Sequence, residues 1–248
     1  MRRALLLLVG LAAPGCVGPF VSPERQEVLS AEHRRYLEEM GELEQRRGEL
    51  DYAESWRAAR LGVRLADNGL TPSSERDDWA ERALAHADRA SALDPERVEG
   101  HYYRAVALGW VLDLTLLKPV SRIPELESAG LRARELDPAF QCAGPLRFLA
   151  LLYQKAPPWP LGPELQGEED EIERLFREAL RLAPTCPENL LFFAEFLHDE
   201  GRTAEALDLA LGAQANLATH QELEEYERDV LGRRIKQLVG ELSAAQRK

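Results

Sequence analysis

Cysteine is scarce in this chain: three in 248 residues, at 16, 142 and 186, with no CxxC pair. The five histidines, at 33, 86, 101, 198 and 220, show no ligand spacing. Zinc fingers and ribbons built on local motifs are therefore excluded, and no metal or cofactor is expected. Gly-x-Ser-x-Gly, a phosphate-binding loop, His-Glu-x-x-His and a glycine-rich dinucleotide turn are all missing, so an enzyme is not expected. Basic residues are outnumbered, 31 against 43 acidic, for a net charge of −12. An acidic body without a basic patch repels nucleic acid and anionic headgroups. No window alternates apolar and polar residues with period two, which removes strands and leaves an all-α fold. Long apolar runs are missing as well. The stretch from Ala4 to Ala13 is too short to span a bilayer core of ~30 Å.

That stretch follows Met1-Arg2-Arg3 and precedes the small residues Ala13-Pro14-Gly15 and then Cys16. The order of basic, apolar and small residues is that of an export signal. The cysteine at its end resembles the bacterial lipobox, with Ala13 where Leu is usual. In that reading residues 1–15 are a signal peptide, and Cys16 takes a diacylglycerol and becomes the new N-terminus. The alternative is an ordinary secretory signal cut nearby. Residues 16–23, with Gly18, Pro19 and Pro23, then form a lipid-anchored tether. Acyl chains contribute about 0.8 kcal/mol per buried CH₂, enough for firm anchoring when several are attached. Val17 follows the cysteine, with no Asp to signal inner-membrane retention, so the expected address is the periplasmic face of an outer membrane.

Residues 24–248 read as one helical domain. Ala92-Leu93-Asp94-Pro95, Glu135-Leu136-Asp137-Pro138 and Arg181-Leu182-Ala183-Pro184 each close an amphipathic segment rich in Ala and Leu. Their prolines fall 43 and 46 residues apart (95 to 138, 138 to 184). Repetition on this scale is the mark of stacked helical hairpins, each exposing an apolar face until a neighbour covers it. Helices are expected over about 24–47, 51–67, 77–93, 96–114, 125–136, 145–155, 170–182, 187–200, 203–215 and 221–245. Thr71-Pro72-Ser73-Ser74 carries an N-cap signal. Residues 117–124 read as a loop. Ala156 to Pro163, with four prolines in seven residues, reads as a stiff extended segment. The hairpin units are placed at about 50–94, 95–137, 138–183 and 184–216, followed by a C-terminal helix at 221–245. That last helix packs on the stack or on a second copy of the chain.

Small residues recur where hairpins must touch. Ala194, Leu197, Gly201 and Ala206 match the first part of the tetratricopeptide (TPR) pattern. Phe176, Ala179 and Pro184 match its second part, as do Ala83, Ala90 and Pro95. The spacings exceed the TPR repeat of about 34 residues, so inserted loops are expected. A narrower set of segments comprises Trp56-Arg57-Ala58-Ala59-Arg60, Ile123-Pro124-Glu125-Leu126, and Gly144-Pro145-Leu146-Arg147 with Tyr153-Gln154-Lys155-Ala156-Pro157-Pro158-Trp159-Pro160. These resemble a family of bacterial TPR lipoproteins that includes the T-component of TRAP (tripartite ATP-independent periplasmic) transporters. The resemblance implies a compact helical periplasmic lipoprotein, in some members oligomeric. It implies docking onto a solute-binding protein, or handling of a small, partly apolar ligand.

Arg60, Arg104 and Arg147 take similar places in the first helices of three successive units. Guanidiniums in register along an inner wall would grip a carboxylate bidentately. The alternative is that each pairs with an acid of a neighbouring helix. Tyr102, Trp110 and Trp159 are the aromatic candidates for a ligand cleft, with core packing the alternative for the first two. Cys142 and Cys186 are expected close together on adjacent units, as buried thiols or as a disulfide. The chain is thus expected to be a protein-interaction scaffold, with a small-ligand carrier as the other reading.

Overall fold

The computed structural model describes residues 22–114, 122–155 and 169–246. Cys16, Trp159, the signal segment, most of the tether and the proline-rich segment lie outside them. The described residues form α-helices and no strand: α1 (Pro23–Gln45), α2 (Tyr52–Asp67), α3 (Ser73–Leu93), α4 (Val98–Leu114), α5 (Ile123–Leu136), α6 (Phe140–Lys155), α7 (Glu169–Leu182), α8 (Pro187–Asp199), α9 (Thr203–Leu217) and α10 (Glu225–Ala245). None is long and apolar enough to cross a membrane.

Every helix packs on the next, and α2, α4, α6, α8 and α10 also pack on one another in turn. This is a TPR-like stack, with the first helices of the hairpins forming an inner wall. Small residues set its spacing. Ala83, Ala90, Ala179, Ala194 and Ala206 are fully buried, where a larger side chain would push helices apart. Phe176 fills the gap between hairpins, its ring 5.4 Å from Phe193 and 5.8 Å from Phe196.

Local signals position the helix ends. Asp51 caps α2 by accepting the Glu54 N–H at 2.8 Å, while Glu54 accepts the Asp51 N–H at 3.2 Å. Gly201 ends α8 at φ +75°, a conformation that costs glycine little. At Thr71 the expected cap does not form. Helix α3 starts at Ser73, so the cap position falls on Pro72, which has no side-chain acceptor, and the Thr71 hydroxyl lies 2.9 Å from the His33 Nε2.

Helix α10 returns to the start of its own chain. Leu29 of α1 packs with Tyr226 and Val230. Glu32 accepts the backbone N–H groups of Glu225 and Tyr226 at 2.8 and 3.1 Å, which supplies both a cap and a negative charge to the helix N-terminus. Arg25 pairs with Glu225 and, at 3.4 Å, with Asp229.

Candidate functional site

The inner wall lines a partly open cavity of about 130 Å³. Helix α2 contributes Arg60, Arg64 and Asp67, α4 contributes Tyr102 and Trp110, and α6 contributes Arg147. Glu188 and Phe192 come from α8, and Glu222, Leu223 and Glu227 close the far side. In open solenoids the concave wall is a long exposed surface. Here the chain's own segment from 222 to 227 covers part of it and leaves an interior space.

Four of the residues singled out in the sequence line this space: Arg60, Arg147, Tyr102 and Trp110. Arg104 does not. Its guanidinium is taken by Asp88 of α3, at 2.6 Å, and by Glu125 of α5. The three arginines therefore do not act as one grip. Arg60 is held by Glu224 at 3.4 Å. Arg64, which the sequence reading missed, pairs with Glu224 and with Glu227 at 3.1 Å and donates to the Tyr36 hydroxyl at 3.0 Å.

Arg147 is buried and paired. Its guanidinium donates to the Asn189 Oδ1 at 2.6 Å, the Cys142 carbonyl at 3.2 Å and Glu188 at 3.4 Å. Burial opposes its charge, but Glu188 and its other neighbours hold its pKa above the ordinary value. The Cys142 carbonyl is also bonded by the Asn189 amide at 2.8 Å. These contacts brace an unusual turn, in which Gln141, Cys142 and Ala143 sit at φ 48°, 60° and 58°. Left-handed backbone costs non-glycine residues about 1–2 kcal/mol each, so it persists only where the surroundings hold it. The right-handed part of α6 begins only after this turn, at Gly144-Pro145, where the sequence places the start of the helix. Gly144 follows because the Tyr102 ring lies against it. A Cβ there would sit 2.7 Å from the Tyr102 hydroxyl oxygen.

Tyr102 itself is pinned edge-on between Tyr103 and Phe140, with centroids 5.3 Å away in each case. Burial pushes its hydroxyl up to about 12. Trp110 is 2% exposed. Its indole Nε1 has no hydrogen-bond partner among the described residues, and neither has Oδ1 of Asp67. Two residues that line the same cavity thus each keep one buried polar atom unmatched. An unmatched buried polar atom costs about 1–3 kcal/mol, which a guest molecule or water would recover.

Burial, reinforced by Glu227, raises Asp67 to about 7. Burial likewise pushes Glu227 up, against the pull of Arg64. The Asp67 shift makes stability pH-dependent. Unfolded, Asp67 releases its proton near pH ~3.9; folded, it keeps that proton to about 7. Stability is therefore fully present below about pH 4, falls as pH rises toward 7 and levels off above. Asp67→Asn removes this fall. Thermal melts are expected to show the variant on the order of 4 kcal/mol more stable than the parent at about pH 8 and equal to it near pH 4. Parallel curves over that range would show that Asp67 does not hold its proton.

Cys142 and Cys186 are free thiols, and both lie in a group with Glu188 and His220. The neighbouring Cys142, together with burial, raises the pKa of Cys186, which keeps it a thiol.

Comparison with protein-family models and with curated protein sequences gives no match. Among solved structures, the crystal structure of yeast Tom70 aligns with 97% of this chain at 16% identity and a TM-score of 0.46. The chain spans 58% of the length of that protein.

Proposed function

We propose that this chain is a binding protein whose helical stack holds a small, partly apolar organic acid. The observation behind this reading is that Trp110 and Asp67, both lining one partly open cavity, each keep a buried polar atom, Nε1 and Oδ1, without a partner among the described residues. Below about pH 7 Asp67 keeps its proton, so the carboxylate of an organic acid can accept from the Asp67 carboxyl as well as from the indole. Phe148, Leu151, Phe192 and Val106 give its hydrocarbon part an apolar surface. Because the arginines are already paired with glutamates, a second free charge on the ligand is not required.

The test is a thermal-shift and native-mass-spectrometry screen of short organic acids and their amides. At least one acid is expected to bind saturably, and more tightly near pH ~6 than near pH ~8. Trp110→Phe, which keeps a ring in the core, is expected to weaken it about tenfold by removing one buried hydrogen bond. Saturable binding unaffected by Trp110→Phe, or no binding by any acid, would remove this reading.

A second reading is favoured by the TPR-like stack and by the lipoprotein-like start of the sequence. In it the chain, tethered through Cys16 to the periplasmic face of the outer membrane, docks onto a solute-binding protein of the TRAP type. The two readings are compatible, since a carrier must pass its cargo on. Pull-down from detergent-solubilised membranes tests the second. Repeated recovery of a solute-binding protein supports docking, and its absence under gentle conditions counts against it.

A further inference from the structure

We propose that Cys142, Cys186, His220 and Glu188 form a four-coordinate zinc site that fastens the segment closing the cavity. This inference stands apart from the organic-acid reading and does not depend on it. One ligand atom from each residue lies within 4.8 Å of all the others. The Cys142 sulfur is 3.7 Å from Nε2 of His220, and the Cys186 sulfur is 3.4 Å from Oε2 of Glu188. A tetrahedral zinc ion, with bonds of about 2.3 Å to sulfur and about 2.0 Å to nitrogen or oxygen, places neighbouring ligand atoms about 3.6 Å apart. The four atoms thus stand near the spacing that zinc requires. Two sulfurs and an imidazole favour zinc over calcium or magnesium, which take oxygen ligands.

The supporting structure points the same way. Cys142 sits in the left-handed turn, and its carbonyl is held by Arg147 and Asn189. Cys186 is the residue before α8, and Glu188 lies in that helix's first turn. Arg147 takes Oε1 of Glu188 at 3.4 Å, leaving Oε2 toward the sulfurs. His220 lies between α9 and α10, where Arg228 donates to its carbonyl at 2.7 Å and to that of Leu223 at 3.1 Å. Contacts of this kind orient ligands around protein metal ions. Binding is balanced in charge: Zn²⁺ displaces one proton from each thiol to solvent. The two thiolates and Glu188 then offset the ion together with Arg147. The ion would tie α6 and α8 to the connection that carries Glu222 and Leu223 across the cavity.

Co(II), which reports thiolate and tetrahedral coordination by its absorption, is the probe. The full chain, reduced and freed of metal, is expected to bind one Co(II). A thiolate-to-cobalt charge-transfer band and intense tetrahedral ligand-field bands should appear, and Zn(II) should remove both. Cys142→Ser and His220→Ala are expected to weaken binding about a hundredfold, and Glu188→Gln about tenfold, whereas Trp110→Phe leaves it unchanged. In the unaltered chain, Zn(II) is expected to protect Cys142, the more exposed of the two thiols, from iodoacetamide, which needs no variant to fold. The proposal is overturned if the folded, reduced chain shows no saturable cobalt spectrum. It is equally overturned if Cys142→Ser leaves the spectrum intact or if Zn(II) leaves alkylation of Cys142 unchanged.

Discussion

Arg147→Met is expected to lower folding stability by about 3–5 kcal/mol, the range for removing one partner of a buried charged pair. The side chain is 8% exposed and serves three partners: the Asn189 amide oxygen, the Cys142 carbonyl and Glu188. Met replaces the aliphatic stem but not the guanidinium, so the loss comes mainly from the groups left behind there. Glu188 is left with a poorly solvated charge, and the left-handed turn at 141–143 loses one of its braces. The double variant Arg147→Met/Glu188→Gln is expected to recover part of the loss, because the stranded charge is gone. Denaturant unfolding of the parent, both single variants and the double variant gives the coupling directly. A loss below about 1 kcal/mol would mean that Arg147 behaves as an exposed pair does.

Phe176→Ala is expected to cost a similar amount, about 3–5 kcal/mol, for a different reason. Its ring is fully buried between α7 and α8 and touches Phe193 and Phe196. Truncation leaves a cavity that rigid neighbouring helices cannot close. Phe176→Leu, which keeps most of the volume, is expected to cost less than half as much. Equal, small losses for both variants would show that the hairpins do not meet through this ring.

These two residues also mark how far the sequence can be read. Phe176 is legible because it belongs to a local pattern: aromatic, then Ala179, then Pro184, at spacings a helical hairpin imposes. The alanines at 83, 90, 194 and 206 are legible for the same reason, since contact between adjacent helices follows from periodicity. Arg147 shows the limit. Its position on an inner helix is readable, but its partners are not, because Asn189 and Glu188 stand about 40 residues away with no motif linking them. The same holds for Asp67, whose burial depends on Glu227 and the returning α10. His220 and Cys142 are 78 residues apart in sequence and 3.7 Å apart in space, so no ligand spacing announces them. Backbone at 141–143 was also opaque, since nothing in Gln-Cys-Ala favours positive φ. Local periodicity specifies the stack, whereas closure of the stack by α10 specifies the cavity.

The central claim is that this partly covered cavity takes a small guest through Trp110 and Asp67. The most direct measurement is a high-resolution crystal structure of the chain purified with whatever small molecule it retains, or soaked with the tightest-binding acid of the screen. The account predicts density for a compact molecule within hydrogen-bond distance of both Trp110 Nε1 and an Asp67 oxygen. A cavity holding only water after soaking at saturating acid, or one collapsed around a rotated Trp110, would contradict it.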